Sequence, residues 1–149
     1  MTETIKHLIK GLTCGDGTVW DVYNTALLSV CAPIAKAFIE ACIEYKYTDE
    51  TYMNKPPEFM LERGFESIFY NHDREVFILS TFSDQYGKFG KFTMPASWLD
   101  DEHITATFNQ FVKDNKRRSL MNERASIELR IQRLRKRKSQ LEKEIDDLI

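Results

Sequence analysis

Histidine and cysteine are the side chains of this sequence best suited to acid–base, nucleophilic or metal chemistry. His7, His72 and His103 fall in different predicted elements, and the pair His72-Asp73 lacks the further His and Asp of a metal-dependent hydrolase. Nucleophilic catalysis needs a base beside the nucleophile, and a structural zinc site needs four converging ligands. The sequence shows neither pattern, so we expect no enzymatic activity, no catalytic residue, no metal and no cofactor.

The cysteines indicate a reducing compartment. Cys14, Cys31 and Cys42 are odd in number and form no Cys-x-x-Cys pair, which is typical of cytosolic proteins with reduced thiols.

The stretch Cys14 to Gly17 lacks the Lys-Ser/Thr of a phosphate-binding loop and is predicted as a turn. The first residues are acidic and no apolar signal segment follows them, so we predict a cytoplasmic location.

Basic side chains are concentrated in residues 113–138, which hold eleven Lys/Arg against three Asp/Glu, a net charge of +8. Residues 1–112 hold nine against sixteen, net −7, and residues 139–149 hold one against four, net −3. Such a cluster attracts nucleic-acid phosphates or an acidic protein surface, and it also solubilises a helix; these alternatives stay open. The candidate contact residues are Lys116, Arg117, Arg118, Arg130, Arg133, Arg135, Lys136 and Arg137.

The last thirty residues carry an apolar heptad pattern. One core position is taken by Leu120, Ile127, Leu134, Leu141 and Leu148, and the other by Arg124, Ile131, Lys138 and Ile145. A helix with this stripe must bury it against another helix, so residues 113–149 are predicted to form a coiled coil. All these residues except Arg124 are our predicted oligomerisation contacts.

A homodimer is the assembly we predict first, with a different protein, or the chain's own globular part, as the alternative partner of the helix. The charged ends of Arg124 and Lys138 need solvent, which argues against higher oligomers. Ile at one core position and Leu at the other are typical of parallel dimers. The flanking charge pairs are mixed in both orientations and worth only about 0.5 kcal/mol each, so the orientation stays open.

Residues 1–112 are predicted to form an α+β head, because all Phe, Trp and Tyr residues lie at or before Phe111 and can fill a core. Helices are predicted over residues 4–12, 19–30, 33–45 and 58–63, with Pro33 opening the third and Gly64 closing the fourth. The start of the second could instead be a strand. The apolar segment 27–43 carries Lys36 and Glu40 and is too short and too charged to span a bilayer, so it is predicted as a core helix.

A three-stranded antiparallel meander is predicted over residues 66–94, with its clearest strand at 75–83. A long helix is predicted to begin near Trp98 with Asp100 as its N-cap. Its first apolar face, around Ile104, lies about 160° from the heptad stripe. Either the helix turns different sides to the head and to its partner, or it breaks near residues 114–119.

Several aromatic residues lie in or beside predicted loops. They are Tyr45, Tyr47, Tyr52, Tyr86 and Phe89. Exposed Tyr and Phe side chains are effective anchors for protein partners. The alternative is that they border the core of a small domain.

The segment Phe92-Thr-Met-Pro-Ala-Ser-Trp-Leu joins the last predicted strand to the long helix. Over residues 75–148, a β-hairpin, a Pro-x-x-aromatic-Leu turn and a helix rich in Glu, Arg and Leu resemble small accessory proteins of tailed bacteriophages and prophages. The resemblance implies a phage-encoded cytosolic protein that binds a host or phage protein, including host defence systems. It transfers no catalytic residue.

The sequence therefore predicts a head over residues 1–112 and a coiled-coil helix over residues 113–149. The predicted function is non-enzymatic protein–protein interaction by a homodimer, as a phage-encoded inhibitor or regulator of a host protein in the host cytoplasm, without membrane contact. One alternative is a nucleic-acid-binding regulator that uses the basic helix 113–138. Another is a structural or assembly protein of a phage.

Overall fold

The computed structural model describes residues 1–14 and 17–149, without the side chains of Cys14 and Thr18. Within these residues the chain forms four α-helices, one 3₁₀ helix and a three-stranded sheet, which confirms the α+β class. The elements are α1 (Glu3–Cys14), α2 (Gly17–Glu44), α3 (Pro57–Arg63), β1 (Phe65–Asn71), β2 (Val76–Thr81), β3 (Lys91–Pro95), the 3₁₀ helix (Ala96–Asp100) and α4 (Ile104–Asp147). The predicted turn at residues 14–17 includes Gly15 and Asp16, which lie outside the described residues.

The chain divides into two compact units, Met1–Val112 and Lys113–Ile149, which we call the head and the arm. In the head, the strands form an antiparallel meander in the order β1-β2-β3, as predicted. The register places Leu79 of β2 beside Ile68 of β1 on one side and Phe92 of β3 on the other. All three side chains are buried, so one face of the sheet forms part of the core.

The outer edge of β1 is covered by a side chain of α2. The Asn24 amide donates to the Glu66 carbonyl over 3.1 Å and accepts from the Ile68 amide over 2.9 Å, at a bulge between Phe65 and Ser67. Asn24 is itself buried. A polar side chain at this depth is tolerated because both of its polar atoms are bonded.

The outer edge of β3 is covered by the segment that precedes α3. The Thr93 amide donates to the Tyr52 carbonyl over 2.7 Å, and Met53 bridges Phe92. Asn54 bonds Lys91 through both its side chain and its backbone. Both edges of the sheet are therefore engaged at these positions, which disfavours the binding of a partner as an added strand.

A single helix, α2, replaces the two helices predicted on either side of Pro33. A proline inside a helix removes one backbone hydrogen bond and costs about 3 kcal/mol. The prediction of a helix start at Pro33 was wrong because burial on both sides of it, from Leu27 and Cys31 to Phe38 and Cys42, offsets that cost. The alternative of a strand near residue 19 is also wrong.

Because α2 is continuous, its segment Val19–Glu44 is long and apolar enough to cross a membrane by length and composition, with a mean hydropathy of 1.8. The core helix of a soluble protein passes the same test. In the head, α2 packs against α1, α3 and β1, as a core helix does.

The start of α4 differs from the prediction. Residues 96–100 form the 3₁₀ helix and α4 begins at Ile104, so Asp100 is not its N-cap. Asp101 shapes the turn that leads into α4: its carboxylate accepts from the His103 amide over 2.9 Å and its carbonyl from the Ile104 amide over 3.3 Å. Asp100 instead pairs with the N-terminal ammonium of Met1 at 2.7 Å. The helix then runs as one element through residues 114–119, without the break that the sequence left open.

Phe38 of α2 lies at the centre of the head's core. Its ring is fully buried and packs against aromatic rings from the segment after α2, from β3, from the 3₁₀ helix and from the first turns of α4. The ring centroids lie 4.8 Å (Tyr52), 5.3 Å (Trp98), 5.3 Å (Phe108), 5.9 Å (Phe92) and 6.1 Å (Phe111) from that of Phe38. One side chain thus joins helices and sheet.

Replacing Phe38 by Ala should lower the free energy of unfolding by about 3–5 kcal/mol, because it removes a large buried ring and leaves a cavity. Urea unfolding at one protein concentration, followed by tryptophan fluorescence, measures the change. Phe69→Ala is the matched control, since the Phe69 ring is 58% exposed and should cost less than about 1 kcal/mol. Equal losses in the two variants would contradict the central place of Phe38.

Cys31 and Cys42 should be unreactive in the folded protein. Burial raises the pKa of both thiols from 9.0 to about 12, and the Asp49 carboxylate adds to the effect at Cys42. The thiolate is the reactive form, and at pH 8 it is about one part in ten thousand for such a pKa. In a Cys14→Ser variant, Ellman's reagent at pH 8 should react only after unfolding in guanidinium.

The same pKa shifts predict how stability depends on pH. The folded protein holds these thiol protons more tightly than the unfolded chain does, so the free energy of unfolding should fall as pH rises from about 9 towards 12. Rapid reaction of a thiol in the folded variant at pH 8 would contradict both expectations.

Candidate functional site: an exposed helical seam

The heptad residues of the arm form a continuous stripe on α4, which we call the seam. It comprises Leu120, Arg124, Ile127, Ile131, Leu134, Lys138, Leu141, Ile145 and Leu148. In the single chain its aliphatic side chains are between 40% and 88% exposed. A helix that leaves such a stripe in water loses the burial that normally stabilises it, so the seam is a candidate surface for another helix.

The two cations of the seam bend towards carboxylates one turn further along the same helix. Arg124 Nε lies 3.9 Å from Glu128 Oε1, and Lys138 Nζ lies 3.9 Å from Glu142 Oε1. All four side chains are exposed, so these pairs contribute little stability. The pairs instead orient the two side chains, so that the charged ends lie beside the seam while the aliphatic stems stay on it.

The basic stretch, residues 113–138, surrounds the first two thirds of the seam. Of its predicted contact residues, Lys116 is half-buried and the others are exposed. Arg137 Nη1 lies 3.7 Å from Glu144 Oε1. The remaining cations, Arg117, Arg118, Arg130, Arg133, Arg135 and Lys136, present their charge around the helix. The surface can attract an anionic partner through its exposed charges.

The side chains considered for chemistry lie apart in the described residues. His7 packs edge-on to Tyr23, and His72 packs edge-on to Tyr70. Among the described residues, no group of His, Cys, Asp and Glu side chains could hold a metal ion. The Asp49 carboxylate, which is buried, accepts from the Thr51 amide and so shapes a turn.

The head has a surface that the sequence did not indicate. A mainly apolar groove of about 470 Å³ lies between α2 and α3, lined by Leu28, Ala32, Pro33, Lys36, Leu61 and Phe65 among others. Pro33 has no N–H, so the Ser29 carbonyl beside the groove lacks its usual helical donor. The proline inside an apolar run was the signal that could have pointed here.

The hairpin loop between β2 and β3 carries the most exposed aromatic side chain of those considered as anchors. Tyr86 is 78% exposed and Phe89 is 42% exposed, whereas Tyr52 packs in the core. The Asp84 carboxylate accepts from the Tyr86 and Lys88 amides, and these bonds hold its pKa below the usual range. These bonds hold the backbone of the loop that carries the exposed Tyr86 side chain.

We compared the chain with protein-family models, with curated proteins and with solved structures, and none of the three comparisons gives a match. Only their geometry therefore indicates what the four surfaces described above could bind: the seam, the basic stretch, the groove and the hairpin loop.

Proposed function

We propose that this protein is a non-enzymatic protein-binding module whose arm pairs with a second copy of itself along the seam. The observation that carries the proposal is the exposed aliphatic stripe of the arm, in heptad register from Leu120 to Leu148. Pairing two copies buries this stripe and presents two heads together.

The head supplies the binding surface for the target protein in this proposal. Its sheet edges are engaged by Asn24 and by residues 52–54, so we place the target on the groove beside Pro33 and on the hairpin loop with Tyr86. Tyr side chains bury a large area at little entropic cost, which makes them frequent anchors of protein interfaces. Two heads on one dimer increase apparent affinity for a target that engages both.

The resemblance over residues 75–148 extends the proposal to a biological setting. A phage-encoded protein of this kind would inhibit or regulate a host protein, with host defence systems among the candidates, in the host cytoplasm. Pull-down from a bacterial lysate with the wild-type dimer and with a monomeric seam variant would identify targets that depend on two heads.

The basic stretch favours nucleic-acid binding as a second candidate function. Eleven cations on 26 residues would release many counterions from a polyanion, which gives salt-dependent and sequence-independent affinity. An acidic protein surface would meet the same charges. The head, at −7, repels a polyanion and weakens this candidate relative to protein binding.

Replacing Leu134 by Asp should convert the dimer into a monomer. The change places a carboxylate from each copy in the middle of the paired seam, and burying such a charge costs several kcal/mol. Light scattering of the purified full chain measures the mass. Gln132→Asp adds the same charge outside the seam and should leave the dimer intact. A Leu134→Asp protein that keeps the wild-type mass would contradict the seam.

The purified dimer should carry no nucleic acid at physiological salt, so its absorbance ratio at 260 and 280 nm should be that of protein alone. Replacing Arg133, Arg135, Lys136 and Arg137 by Ala should leave the mass unchanged, since none of the four lies at a core position. Weak binding to DNA at low salt should fall in this variant, because fewer counterions are released.

The control for that experiment removes four cations from the head instead. Its substitutions are Lys6→Ala, Lys10→Ala, Lys36→Ala and Lys88→Ala. Tight DNA or RNA binding at physiological salt that is lost in the arm variant and kept in the control would make nucleic-acid binding the function of the basic stretch.

A further inference from the structure

We propose that two arms pair in antiparallel orientation, with Leu120 of one copy beside Ile145 of the other and the midpoint between Gln132 and Arg133. This inference rests on the self-association proposed above and adds the geometry of the pairing. In this register every seam residue from Leu120 to Ile145 lies opposite a seam residue of the second copy. Two independent features of the arm favour it: the cations within the seam and the distribution of charge along the helix.

The seam cations disfavour a parallel pair. In a parallel two-stranded coil each core residue faces its own counterpart, so Arg124 would face Arg124 and Lys138 would face Lys138. In the antiparallel register Arg124 lies opposite Leu141, and Lys138 lies opposite Ile127. Each aliphatic stem then packs on an aliphatic side chain. The charged ends remain beside the seam, where Glu128 and Glu142 of the same helix already lie within 4 Å of them.

The charges at the two ends of the arm also favour the antiparallel pair. Residues 116–126 hold four Lys/Arg and one Glu, net +3, whereas residues 139–149 hold one Lys and four Asp/Glu, net −3. The antiparallel register sets these oppositely charged segments side by side at both ends of the dimer. A parallel pair would set +3 against +3 and −3 against −3. Like charges that face each other across a helix pair are unfavourable.

The net charge of the middle of the arm does not discriminate between the two orientations. Residues 127–138 lie opposite themselves in either orientation, and their net charge of +5, from six Lys/Arg and one Glu, repels equally in both. The flanking pairs are mixed in the antiparallel register too, since Glu128 faces Arg135 while Arg130 faces Arg137. The preference therefore comes from the ends of the arm and from the two core cations.

Disulfide cross-linking tests the orientation in the full chain. A Cys14→Ser background leaves only the buried thiols of Cys31 and Cys42, which are poor thiolate sources. An equimolar, re-equilibrated mixture of Leu120→Cys and Ile145→Cys should form a mixed disulfide dimer on mild oxidation, while Leu120→Cys alone should not link to itself. Gln132→Cys, outside the seam, reports the background from random collision.

Energy transfer gives a second readout that leaves the seam unchanged. Ser119→Cys lies outside the seam, and an equimolar mixture of donor- and acceptor-labelled chains reports the distance between the two labels. The antiparallel register separates the two positions by about 40 Å along the helices, at 1.5 Å per residue. A parallel pair would place the two positions side by side, on helices whose axes are only about 10 Å apart.

The outcomes separate this inference from the proposed function. A mixed 120–145 disulfide together with a separation of about 40 Å would support the antiparallel pair. Self-linking of Leu120→Cys with strong energy transfer would overturn the orientation and leave self-association intact. A monomeric wild-type chain in light scattering would overturn both proposals.

Discussion

The packing of Phe38 in the middle of α2 is the interaction on which the fold of the head depends. A fully buried ring in contact with five others fixes the distance between α2, β3, the 3₁₀ helix and the start of α4 among the described residues. Edge-on and tilted ring pairs add a geometric preference to the burial of area. The bonds of Asn24 to β1 follow from this placement, because α2 must lie beside that strand for its amide to reach the strand's backbone.

Elements with a clear hydrophobic periodicity were predictable from the sequence, while elements that depend on contacts between distant residues were not. The alternation of side chains was sufficient to predict β2, and the glycine was sufficient to predict the end of α3. Gly64 does end α3, with a φ of 68°. The predicted helix boundary at Pro33 was wrong. The sequence shows the hydrogen bond that a proline removes, but it does not show the burial of the side chains on both sides of it. The predicted N-cap at Asp100 was wrong because α4 begins four residues later, at Ile104, and Asp100 pairs with the N-terminal ammonium of Met1, a contact that the sequence does not show.

The candidate functional surfaces were also only partly predictable from the sequence. The seam could be predicted because a heptad pattern is local to one helix and needs no knowledge of the head. The role of Asn24 could not, because its partners lie more than forty residues away along the chain. Pro33 marked only the α2 side of the groove, and the sequence did not show that α3 lies opposite it. A sequence pattern therefore located the exposed aliphatic stripe of the arm, and the three-dimensional contacts were needed to find the surfaces of the head.

In the pairing proposed above, the charged residues of the seam restrict which arrangement of helices can form. An all-aliphatic seam over four heptads would bind other helices more tightly, and it would tolerate several orientations and oligomeric states. Arg124 and Lys138 lower the affinity of every arrangement, but they penalise most strongly those that bring like charges together or bury the charged ends. Such polar core positions commonly set register and oligomeric state at a cost in stability. Glu128 and Glu142 lie within 4 Å of these cations in the single chain, and they reduce that cost only in arrangements that keep the charged ends at the solvent edge.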